Sequence, residues 1–95
     1  MAQIDVERID DGEPTVFHVR VTDDDGSSAD FHVTLTSPDR ERLASGYLST
    51  EAFVAACFEF LLEREPTESI LRSFDVSVIS RYFPEFAEQI RRPNG

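Results

Sequence analysis

Between Gln3 and Thr36 the apolar residues return at every second position, and after Ser37 that rhythm stops. A side-chain period of two belongs to a strand with one covered face, so the first third of the chain is committed to a sheet. Ile4 and Val6 share one side of the run Gln3–Ile9, with Asp5 and Glu7 on the other. Phe17, Val19 and Val21 alternate with His18 and Arg20, and Phe31, Val33 and Leu35 alternate with His32 and Thr34. The runs are separated by Asp10-Asp11-Gly12-Glu13-Pro14 and Asp23-Asp24-Asp25-Gly26-Ser27, residues that favour turns.

The register of the second hairpin follows from its turn. A two-residue Asp25-Gly26 loop would set Val21 against Asp30 and Val19 against His32, mixing apolar and polar residues on both faces. A three-residue loop, Asp24-Asp25-Gly26, with Gly26 in the left-handed position, pairs Phe17 with Val33, Val19 with Phe31 and Val21 with Ala29. The other face then pairs Arg20 with Asp30, an opposite-charge pair, and His18 with His32.

Beyond Thr36 the pattern is helical. Ser37-Pro38-Asp39 predicts a short helix with Ser37 as its cap, ending by Gly46. Ser49 caps a main helix over residues 50–63, with Leu48 and Phe53 at the two positions of a hydrophobic staple. Phe53, Val54, Cys57, Phe58, Phe60, Leu61 and Leu62 make that helix apolar almost all round, so it must be covered on two sides. Pro66 begins a helix to about Ser73, Asp75 caps another over residues 76–83, and Pro84 opens a last one to about Arg91. Arg91 and Arg92 suit the negative pole of that last helix. The expected architecture is one α+β domain over residues 1–95. A three-stranded antiparallel meander (1–36) packs on the 50–63 helix, with a C-terminal cluster of short helices behind (37–95).

Charge narrows the function. Nineteen carboxylates face nine arginines, there is no lysine, and the formal net charge is −10. Residues 1–48 hold 11 acids and 4 arginines, so the N-terminal half is the more repulsive. Such a surface repels DNA, RNA and anionic lipid, because tight nucleic-acid binding rests on cations that neutralise phosphate. The lysine-free composition is open to two readings, GC-rich codon usage and halophily. No stretch approaches the ~20 apolar residues of a membrane span, and Met1–Glu13 has neither the basic nor the apolar region of a signal peptide. Cys57 lies in the apolar run 53–58 as a reduced, buried thiol, which together with the rest points to the cytoplasm.

Four arrangements could carry chemistry. His18 and His32 face each other on the outer sheet with Glu7 or Asp5 nearby, a set of ligands for zinc or iron, although a flat strand face seldom brings three ligands to one point. Asp23-Asp24-Asp25-Gly26 fails as a calcium loop, because Val21 and His32 fall where acids are required. Residues 67–83 read as a degenerate helix-turn-helix, with Asp75 where glycine is usual and only Arg72 and Arg81 basic. Paired carboxylates sit on turns with no burial to separate their pKa values. No catalytic constellation or cofactor motif stands out, and the expectation is a protein that is not an enzyme and needs no cofactor.

The segment from Glu59 to Glu85, with Phe60-Leu61-Leu62-Glu63-Arg64-Glu65-Pro66 and Tyr82-Phe83-Pro84-Glu85 as its most specific pieces, resembles a small prokaryotic family of unknown function. The resemblance implies kinship and no activity, cofactor or partner.

The leading expectation is therefore a non-enzymatic interaction or regulatory module. Its candidate contact residues are Arg20 on the outer sheet, beside Asp5, Glu7, His18 and His32, and Arg72, Arg81 and Tyr82 at the C-terminal surface, with Arg91 and Arg92. A protein is the expected partner, with a homodimer joining two meanders into a six-stranded sheet as one form of it. The alternatives are a DNA-binding regulator using residues 67–83 and a metal protein using the His pair.

Overall fold

A computed structural model describes residues 2–91. Three long strands, β1 (Gln3–Asp10), β2 (Thr15–Thr22) and β3 (Ser28–Leu35), form an antiparallel meander. A fourth, β4 (Ser73–Asp75), adds to it in parallel alongside β3, giving the order β1-β2-β3-β4. The helices are α1 (Ser37–Leu43), α2 (Thr50–Leu62), α3 (Ser77–Tyr82) and α4 (Phe86–Ile90). The α+β class and the meander agree with the sequence reading, but the sheet is four-stranded and mixed.

The β2–β3 register is the one the turn chemistry requires. Phe17 faces Val33, Val19 faces Phe31, Val21 faces Ala29, Arg20 faces Asp30 and His18 faces His32. The Asp23 N–H bonds the Ser27 carbonyl at 2.8 Å and the Gly26 N–H bonds the Asp23 carbonyl at 2.9 Å, closing the three-residue loop. Gly26 stands at φ +89°, a conformation an L side chain would strain. β1 pairs with β2 so that Asp5 faces Arg20 and Glu7 faces His18.

All the inward residues of β2 and β3 are buried, and α2 lies over them. The Phe31 and Phe58 rings meet at 5.2 Å, joining sheet to helix. The opposite side of α2 is covered by the C-terminal helices, with Phe60 edge-on to Phe86 at 5.0 Å and to Phe83 at 5.8 Å. An all-round apolar helix has thus found its two covers. Arg64 clamps this second joint. Its guanidinium lies 3.6 Å from the Phe60 ring centre and donates to the Phe60 carbonyl, to Glu85 and to Gln89.

Three local expectations are corrected. Thr36, not Ser37, caps α1, its hydroxyl accepting from the Asp39 N–H. Ser37 instead gives its N–H and hydroxyl to the Glu13 carboxylate at 2.9–3.1 Å. Ser49 caps α2 as expected, but Leu48 makes no staple and is fully exposed. Phe53 packs against the edge of Tyr47 at 5.5 Å, so Tyr47 holds the place assigned to Leu48. The helix expected from Pro66 to Ser73 is a single 3-10 turn, Thr67–Ser69, which runs out into β4. The ladder explains why: the His32 N–H bonds the Arg72 carbonyl and the Val76 N–H bonds the Thr34 carbonyl, so this stretch satisfies its backbone on β3. Asp75 does serve as a local acceptor, taking the Ser77 N–H at 3.1 Å, and it also takes the Thr34 hydroxyl. β4 covers part of the β3 edge, so joining two copies through β1 would give eight strands and not six.

Candidate functional site

The outer sheet face gathers a set of charges around Asp30. One oxygen of Asp30 accepts from Arg20 Nε and meets His18 Nε2, each at 2.9 Å. These hydrogen bonds, Arg20 first and His18 second, hold the Asp30 carboxyl below the usual carboxylate range, and the same pairing raises Arg20. The His18 and His32 rings lie 5.8 Å apart at a tilt of 51°. Glu7 is opposite His18, yet His18 turns toward Asp30. Among the described residues, no group of three or more His, Cys, Asp or Glu side chains has the arrangement of a metal site.

Residues 67–83 do not fold as two helices about a turn. One 3-10 turn, a three-residue strand and the six-residue α3 occupy the span. The geometric premise of a helix-turn-helix is absent there. What the segment builds instead is an apolar groove of about 180 Å³, floored by Leu61, Ile70, Phe74 and Ile79 and edged by Leu71 and Tyr82. Leu71 is 51 % and Tyr82 68 % exposed, so the two lips of the groove present apolar surface to water. The groove is held from beneath. Phe74 stacks on Phe58 at 5.9 Å, and the carboxyl of Asp75 ties β4 to Thr34. Burial works to raise that carboxyl, but hydrogen bonds from Thr34 and Ser77 outweigh it and leave it below its ordinary value.

The candidate contact residues therefore separate. Arg20 is engaged on the outer sheet face, whereas Tyr82 lines a groove on the helical side. Arg72 places its guanidinium 5.4 Å from the Phe31 ring centre, and Arg81 is exposed on α3. Arg91 donates back to the Ala87 carbonyl, and Arg92 lies outside the described residues. The groove residues Leu71 and Phe74 were not singled out from sequence; a leucine and an aromatic beside Tyr82 were the available signal, hidden by the expectation of a buried helical face.

Burial pushes the Cys57 thiol far up, the opposite of what a nucleophile needs. No helix among the described residues is long and apolar enough to cross a membrane. Comparisons with family models, with curated proteins and with solved structures find no match.

Proposed function

We propose that this protein is a non-enzymatic interaction module that works by contact with a protein partner in the cytoplasm. The observation that carries the reading is the groove between the 3-10 turn, β4 and α3, whose lips Leu71 and Tyr82 are exposed. A tyrosine at the lip of a preformed apolar trough is the kind of side chain that anchors a protein interface. Arg81, exposed on α3 with Tyr82, belongs to the rim of that surface.

The partner in this reading is a different protein and not a second copy. Two chains of net charge −10 repel each other at low salt. Pairing β1 with β1 of a second copy, in the central registers that keep Ile4 and Val6 on the covered face, opposes Asp5 or Glu7 with Asp5 or Glu7.

The test is a photo-crosslinking amino acid placed at Tyr82, and separately at Arg20, in native cells. A discrete heavier adduct from position 82 and none from position 20 is expected. Adducts from position 20 only, or from neither, refute the reading.

A further inference from the structure

A second groove runs along the other side of α2, between that helix and α4, with a volume of about 520 Å³. Its α2 wall is Ala52, Ala56, Glu59 and Glu63, residues spaced four, three and four apart and hence one stripe of the helix. The stripe is divided. Its N-terminal half is small and apolar and continues into the fully exposed Leu48; its C-terminal half is two carboxylates one turn apart. From Ala52 to Glu59 is roughly 10 Å along the axis.

The floor is fixed in advance. The Tyr47 hydroxyl donates to the Ile90 carbonyl at 2.6 Å, and Phe60 is packed edge-on to Phe86. The Glu59 carboxylate has no hydrogen bond or ion pair among the described residues. Glu63 reaches only Arg64, at 3.3 Å, a cation already committed to the Phe60 ring, to Glu85 and to Gln89. Among the described residues, no basic side chain lines the groove. Two carboxylates that have only Arg64, on Glu63, as a counter-ion among the described residues, beside an uncovered leucine and two alanines that permit close backbone approach, define a complement.

Resting on the reading that the protein works by contact, we infer that the α2–α4 groove binds a basic amphipathic segment of a partner protein. The segment places an apolar side chain against Leu48, Ala52 and Ala56, and two cations one helical turn apart against Glu59 and Glu63. Alanine walls let a helix approach closely, and the divided stripe fixes the direction in which it lies.

The probe is a fluorescein-labelled synthetic helix of about 15 residues, with leucines at one end and two arginines one turn apart at the other. It is titrated with the full chain and followed by anisotropy. The wild type is expected to bind it, and Glu59→Gln/Glu63→Gln to weaken binding by about tenfold or more. Glu41→Gln/Glu68→Gln removes the same charge from exposed positions outside the groove and is expected to weaken binding by less than about twofold. Equal weakening by both pairs means general attraction to an acidic surface and overturns the inference, as does no binding by a wild type whose circular dichroism shows it folded. Leu71→Ser/Tyr82→Ser is expected to leave probe binding intact. A failed probe together with a Tyr82 crosslink ends this inference and spares the broader one; a bound probe with no Tyr82 crosslink does the reverse for the Leu71–Tyr82 groove.

Discussion

The outer face of the sheet and the helical side of the molecule treat their surface groups in opposite ways. On the sheet, Asp30 accepts from both Arg20 and His18, and the charge of Asp5 also acts on the Arg20 guanidinium. On the helical side, Leu48, Leu71 and Tyr82 are exposed, and Glu59 has no counter-ion among the described residues. Groups already paired, as Arg20, Asp30 and His18 are, gain little by meeting a partner, since each pair would first have to be desolvated or broken. A face with apolar lips and uncompensated carboxylates gains both burial and pairing. In the proposed reading the contrast favours the helices for recognition, although the sequence draws attention first to the charges of the sheet.

The comparison assumes that one joint carries both sides, and Phe58 is that joint. It is fully buried between Phe31 and Phe74. Phe58→Ala is expected to cost about 3–5 kcal/mol, read by urea unfolding. A loss no larger than that of a surface variant would mean that the sheet and helices do not share a core.

Arg64→Ala probes the helical side alone. The variant loses the cation–ring contact and the bonds to α4, an expected cost of about 1–2 kcal/mol. Amide exchange should rise in α4 and stay unchanged in β2. Equal loosening of both would erase the proposed division.

Asp75→Asn sits where the two regions meet and should cost about 1 kcal/mol, through impaired bonding to Thr34 or Ser77. Its pH dependence has a definite sign. The folded carboxyl lies below its ordinary value, so its contribution is present above the normal carboxylate range and disappears as pH falls through the folded pKa. The stability of the Asn variant should approach that of wild type over that acid range. A gap that stays constant with pH would show that the charge is not involved.

The smallest effect belongs to the outer face. Arg20→Ala and Asp30→Asn remove an exposed pair, and their melting temperatures should be indistinguishable from wild type at high salt. A clear drop would show that the sheet face is more than a solvated set of pairs.

Why the two sides differ in legibility is physical. Alternation over eight-residue strands, with one glycine in a position that demands φ > 0, leaves a single register for β2–β3. The Ser49 cap is equally local and was equally readable. β4 is three residues long, too short for any period, and its reason for being extended is the backbone of β3, some forty positions away in sequence. Leu48 and Tyr47 compete for one site beside Phe53, and only the path of the chain before Ser49 decides for Tyr47. The two grooves are products of those long-range choices. Leu71 and Leu48 read as ordinary core residues until the strand and the lost staple leave them outside.

Capture from native lysate at native salt, comparing wild type with Leu71→Ser/Tyr82→Ser and with Arg20→Ala/Asp30→Asn, tests the central claim most directly. The account predicts one specific partner retained by wild type and by the sheet-face variant, and lost with the groove variant while its thermal stability is unchanged. Retention by the groove variant with loss from the sheet-face variant would contradict it.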